Sequence, residues 1–250
     1  MDRGALLLVA HGSADPRAGA TTRALARAVA AVRPGIDVRA SFLDHAGPRP
    51  GEVLGALARH GHRCAAVVPV LLTSAFHSRV DLPGVLTRAR EGGLQLDASQ
   101  ADVLGPAAGT TTPPLLLRAL RRRLAEAGPD AAGADGIVLI AAGTRDAAAR
   151  GAVDVVARDL RIELGVPCRA GFASGSAVTA AVAVDELRDL GCRRIAIASY
   201  FLARGRLYDA AVASARSRGA LVPAAEPLGS AYDIARLVLE RADAVTYQYS

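Results

Sequence analysis

The sequence predicts an α/β protein built from two similar parallel-sheet domains. Three observations predict it. Apolar runs of strand character alternate with helical patterns along the whole chain, the signature of βαβ units. That pattern breaks at 129–136, within the segment Gly128-Pro129-Asp130-Ala131-Ala132-Gly133-Ala134-Asp135-Gly136, and then restarts. The second half also repeats the first in detail, so the fold reads as an internal duplication.

In the first half the strands fall at 5–10, 36–43, 64–72 and 94–101, and the helices at 16–32, 50–60, 81–90 and 113–127. Asp15-Pro16 supplies an N-cap and a proline at the first helical position. In the second half the strands fall at 137–142, 167–172 and 194–202, with a short one at 220–222. Its helices are expected at 147–164, 177–190, 207–217 and 232–242. This reading gives an N-terminal domain at 1–128, a linker at 129–136 and a C-terminal domain at 137–250. Two domains of about 125 residues each are large enough to bury a core.

The repeats align residue by residue. Leu7-Leu8-Val9-Ala10-His11-Gly12-Ser13 parallels Val138-Leu139-Ile140-Ala141-Ala142-Gly143-Thr144. Phe42-Leu43-Asp44 parallels Phe172-Ala173-Ser174, and Leu104-Gly105-Pro106 parallels Leu228-Gly229-Ser230.

His11, Asp44 and His77 recur at intervals of 33 residues, each just past a strand. One βα unit occupies about 30 residues or more, so this spacing gathers the three groups at the carboxyl edge of the sheet, where open α/β folds place their sites. Two imidazoles and a carboxylate suit a divalent metal or proton transfer near neutral pH. In the second repeat their counterparts are Ala142, Ser174 and Leu207 or Tyr208. All three polar groups are lost together while the apolar framework persists. One half works, and the other serves as scaffold and cleft wall.

Composition removes several classes of function. All 30 cationic residues are arginine, which excludes a Schiff-base lysine for PLP and the P-loop lysine of ATP-driven enzymes. No NAD site is expected either. The net charge of +6 suits an anionic partner, but aromatic residues are 4% and Trp is absent. Single-stranded nucleic acid therefore lacks stacking platforms, and Arg121-Arg122-Arg123 reads as a solvated helix face. No apolar run approaches the ~20 residues of a membrane span, and no signal sequence is apparent, so a cytoplasmic protein is expected. Cys64, Cys168 and Cys192 are scattered and read as small buried hydrophobes. His60, His62 and Cys64 read as surface loop, and His45 as pointing away from Asp44.

The motifs resemble the sirohydrochlorin chelatase family. The resemblance rests on Leu7-Leu8-Val9-Ala10-His11-Gly12-Ser13-Ala14-Asp15-Pro16-Arg17, on Phe42-Leu43-Asp44, and on Val68-Pro69-Val70-Leu71-Leu72 followed by His77 and Asp81-Leu82-Pro83. It implies two similar α/β domains facing each other across a cleft, and ATP-independent insertion of Fe²⁺ or Co²⁺ into sirohydrochlorin, an octacarboxylate tetrapyrrole of siroheme and cobalamin synthesis. The family's two histidines fall on His11 and His77, as metal ligands and proton acceptors. Asp44 stands where Glu is usual, and Phe76 where Gly is common. Arg17, Arg79 and Ser13 flank the motifs and are the candidates for holding substrate, since guanidinium forks pair bidentately with carboxylates. A monomer is expected. Two other readings use the same residues: a non-catalytic metal or tetrapyrrole carrier, and a histidine-phosphatase-type enzyme. The second lacks its usual Arg-His-Gly, since this chain has Ala10-His11-Gly12.

Overall fold

The computed structural model describes residues 5–74, 80–107, 109–221 and 223–246. In chain order the elements begin β1 (Ala5–Ala10), α1 (Pro16–Val32), β2 (Asp37–Phe42), α2 (Pro50–Arg59), β3 (Cys64–Pro69), α3 (Leu82–Glu91), β4 (Asp97–Gln100) and α4 (Pro114–Glu126). They continue α5 (Pro129–Ala132), β5 (Gly136–Ala141), α6 (Ala147–Leu164), β6 (Cys168–Phe172), α7 (Ala180–Asp189), β7 (Ile195–Tyr200), α8 (Arg206–Arg216) and α9 (Tyr232–Thr246). The strands form two parallel sheets, ordered β2-β1-β3-β4 and β6-β5-β7. The runs of β1, β3, β5 and β7 are apolar nearly throughout because helices cover both faces, whereas β2 and β4, at the edges of the first sheet, carry polar residues. Ala5, Leu7 and Val9 cluster with Val53, Leu54, Leu57, Leu82 and Leu86 of α2 and α3. With a side-chain period of two, the buried Leu6 and Leu8 take the opposite face.

The two compact units are Met1–Gly105 with Ser230–Ser250, and Pro106–Gly229. They differ from the expected division at 128 and 137. Helix α4 packs on β7 and α6, whereas α9 packs on α1, β3 and β4, so each repeat donates its last helix to the other's sheet. The crossovers fall at Gly105-Pro106 and Gly229-Ser230, the paired Leu-Gly signals of the two repeats. The expected linker instead carries the short α5, whose segment contacts β7 and α4. Helix α9 is held mainly by burial of Ile234, Leu237, Val238 and Leu239. Its Arg33–Asp243 ion pair, at 2.6 Å, is over a third exposed on both sides, and such a pair adds no more than about 1 kcal/mol. A fragment ending at residue 128 therefore lacks a helix its sheet requires. It is expected to show no cooperative thermal transition by circular dichroism, and a cooperative melt would refute the exchange.

Of the strand expected at 220–222, residue 222 lies outside the described residues, and 220 and 221 form no strand. The Leu221 N–H donates to Ile195 O at 2.7 Å, as Asp97 does to Arg63 O at 2.8 Å in the first unit. The next ladder donor would be residue 223, which is proline and has no N–H. The ladder skips to Ala225, whose N–H reaches Ile197 O at 3.0 Å.

Other expectations are adjusted in detail. Cys168 and Cys192 are buried, but Cys64 is exposed; burial pushes the Cys168 thiol up to about 12. His60 Nδ1 donates to Ala56 O at 2.7 Å, closing the end of α2, and His62 Nε2 lies 3.4 Å from Asp37. Arg121 pairs with Glu163 at 2.5 Å. Arg123 is not simply solvated: it donates to Leu228 O at 3.1 Å.

Candidate active site

Strand β1 lies between β2 and β3, so the chain turns in opposite directions on either side of it. This is the topological switch point, where the carboxyl ends of parallel strands leave an open crevice. His11 follows β1 immediately, and Asp44 lies two residues past β2. The Leu43 N–H donates to Ala10 O at 3.0 Å and the Asp44 N–H to His11 O at 2.7 Å, extending the ladder past the strand ends. The loop then closes on itself, with Phe42 N–H donating to Pro48 O at 3.0 Å. His77, the third expected member, lies in 75–79, outside the described residues, as does Arg79. The structure thus brings His11 and Asp44 together and leaves the third position undescribed.

Gly12 makes the approach of the two loops feasible. Its φ is +95°, and a Cβ there would stand 1.8 Å from Asp44 O. The second repeat has the same construction. Gly143 has φ +89° with a virtual Cβ 1.8 Å from Ser174 O, and Ser174 N–H donates to Ala142 O at 3.2 Å. Phe172 N–H donates to Val178 O at 3.0 Å, matching the loop closure in the first unit. The alignment read from sequence therefore holds at the level of single hydrogen bonds. What differs is the chemistry: His11 and Asp44 against Ala142 and Ser174.

His11 Nδ1 lies 3.0 Å from Gly12 O. A carbonyl can only accept, so Nδ1 is the donor in this bond, and in the neutral ring Nε2 is then the nitrogen that carries the lone pair. A backbone carbonyl fixing the tautomer is a common support for a metal-ligating imidazole. Asp44 Oδ1 accepts the His45 N–H at 2.8 Å. That bond first, and the His45 charge next, hold the Asp44 carboxyl below its ordinary value; Arg49 and His11 add to the effect. The Asp44 carboxylate is thus kept ionised, ready to accept protons or a cation.

His45 does not point away. Its ring centroid is 6.2 Å from that of His11, and its Nε2 is 3.5 Å from Asp44 Oδ2. Arg49 is a second residue that sequence reasoning missed. Its N–H donates to Glu52 at 2.7 Å, starting α2, and its guanidinium donates to Leu43 O at 2.5 Å. The signal available in the sequence was Glu52 three residues after position 49, a capping arrangement that fixes the loop exit.

Two of the expected substrate-holding residues are occupied locally. Ser13 Oγ accepts the Asp15 N–H at 3.0 Å, as Thr144 Oγ1 accepts that of Asp146 at 3.1 Å. Ser13 is therefore a turn-forming hydroxyl shared by both repeats. Arg17 makes a fork onto the Asp15 carboxylate through Nε and Nη2, at 3.0 and 2.7 Å. Among the described residues, no three His, Cys, Asp or Glu groups stand at mutual metal-ligand spacing. A cavity of about 530 Å³ lies elsewhere in this unit, beside β2, lined by Arg23, Arg27, Arg39 and His60 among others. It contains none of the motif residues.

The duplicated parallel α/β fold thus places an imidazole and an ionised carboxylate at its switch point. The CbiX family model matches residues 5–127 and 136–245, and so covers both repeats. A sirohydrochlorin cobaltochelatase from Methanosarcina acetivorans is 31% identical over 87 residues, which is 35% of this chain and 67% of that protein. The chain belongs to the CbiX family of sirohydrochlorin chelatases. Solved structures agree in fold. SirB from Bacillus subtilis with Fe³⁺ matches at a TM-score of 0.83 with 22% identity, covering 99% of this chain and 97% of that one. SirB from Bacillus subtilis subspecies spizizenii in complex with cobalt matches at 0.78 with 20% identity, covering 98% and 96%. Among the described residues, no helix is long and apolar enough to cross a membrane.

Proposed function

We propose that this protein inserts a divalent metal, Fe²⁺ or Co²⁺, into sirohydrochlorin without ATP. The observation that carries the reading is His11, anchored through Nδ1 to Gly12 O, beside an ionised Asp44 at the switch point, in a chain of the chelatase family. Insertion exchanges two pyrrole N–H protons for one metal ion. His11 Nε2 and His77 are the proposed metal ligands and proton acceptors, and Asp44 takes up protons or orients the ion. Imidazole is a suitable borderline ligand for both metals. The substrate carboxylates are assigned to guanidinium groups near the motifs, namely Arg17, Arg79 and the newly placed Arg49. Arg17 serves this role by exchanging the exposed Asp15 fork for a substrate carboxylate. The reading takes the protein as a cytoplasmic monomer acting in siroheme or cobalamin synthesis.

The test is anaerobic turnover of metal-free sirohydrochlorin followed by absorbance, with Fe²⁺ and Co²⁺ in competition. Stoichiometric binding of either partner without turnover would make the protein a carrier instead.

Asp44→Ala is expected to lower turnover less than loss of either histidine, because the carboxylate is exposed and water can share its role. Asp44→Glu is expected to retain activity, its extra methylene being accommodated at the exposed loop. Normal kinetics in Asp44→Ala would reduce the site to its histidines.

A further inference from the structure

His45 adopts φ 57°, the one left-handed non-glycine residue among those described. The matching position in the second repeat is Gly175, with φ 65°. The loop closure therefore requires this conformation in both halves. Glycine meets it freely, whereas a residue with a Cβ does so at a cost. The first repeat, which alone retains the site residues, places an imidazole there nonetheless. Strain of this kind persists at functional positions.

The geometry gives the imidazole a task. Its Nε2 is 3.5 Å from Asp44 Oδ2, and its ring centroid is 6.2 Å from that of His11, with the planes tilted by 40°. A metal–nitrogen bond of about 2.0–2.1 Å sets each imidazole centroid about 3 Å from the ion, so two ligating rings stand roughly 5–6.5 Å apart. Asp44 and His45 are exposed, with side-chain accessibilities of 59% and 50%, so both meet solvent. His11 is more enclosed, with its Nδ1 bonded to Gly12 O.

We propose that His45 is an additional ligand for the incoming divalent ion, forming with Asp44 an exposed capture point that delivers the metal to His11. The three groups are not yet at mutual ligand spacing. Rotation of the two exposed side chains closes them on the ion. This rests on the reading that His11 and Asp44 belong to the metal-handling site, and it adds a ligand that the motifs do not include.

The test uses the full chain with Co²⁺ as probe, following the visible ligand-field spectrum and calorimetry, beside steady-state chelation. His45→Gly is the informative variant because glycine suits the backbone and is what the second repeat carries. It is expected to weaken Co²⁺ binding by about ten-fold or more, to change the ligand-field spectrum, and to raise KM for the metal. KM for sirohydrochlorin should stay unchanged and the melting temperature should not fall. If His45→Gly keeps wild-type Co²⁺ affinity and spectrum while His11→Ala loses chelation, the capture role is refuted and the proposed function stands. If His11→Ala is also unchanged, both fall.

Discussion

His11→Ala lowers the rate of sirohydrochlorin chelation by about 10²-fold or more, the loss expected when a positioned proton acceptor or ligand is removed. The fold should survive it. The imidazole's bond to Gly12 O, at 3.0 Å, spans a single residue step, while the surrounding ladder runs through backbone groups that alanine retains: His11 O still accepts from Asp44 N–H. The melting temperature should therefore shift little while turnover collapses. His77→Ala is expected to match it on the strength of its motif. Anaerobic single-turnover absorbance on purified, folded variants checks both. Full activity in His11→Ala would remove that residue from the site.

Gly12→Ala is expected to be the more damaging change to structure. A methyl at φ +95° would sit 1.8 Å from Asp44 O, a backbone atom that cannot rotate away. The strain and the displaced loop together are expected to cost on the order of 3 kcal/mol or more. Because the clash falls on Asp44 itself, metal handling should fail with it. Gly143→Ala supplies the control, since its methyl meets Ser174 O at the same 1.8 Å. It should lose comparable stability by urea denaturation yet keep Co²⁺ binding at temperatures where it stays folded. Equal metal binding in the two variants would show that the Gly12 approach does not set the site.

The strand and helix order, the caps and the duplication were legible because each is written in short-range pattern. Asp15-Pro16 starts α1 at the residue expected, and the matched Leu-Gly pairs mark the two crossovers. The positions of His11 and Asp44 at one sheet edge followed from spacing alone, since parallel units of similar length return their ends to the same side. His77 and Arg79 fall outside the described residues, so their places are still those the motif gives them.

By itself, the sequence determined most of the strands and helices, though not α5 or the absence of a strand at 220 and 221, that the chain is doubled, and that only the first half bears the polar set. Tertiary structure decided the partners. An amphipathic stripe tells α4 and α9 to bury a face but not which sheet receives it, and the two helices were exchanged. A left-handed φ at His45 is imposed by bonds from Phe42 to Pro48 and from Asp44 to His11. The second of these joins residues distant in sequence, so the turn of His45 toward Asp44 and His11 and the arrival of Arg49 beside Leu43 depend on closure of the loops, whereas the fork of Arg17 onto Asp15 is a local contact at the start of α1. Local preference sets the elements, whereas the direction of a loop side chain is set by which backbone groups remain to be paired once the sheet has formed.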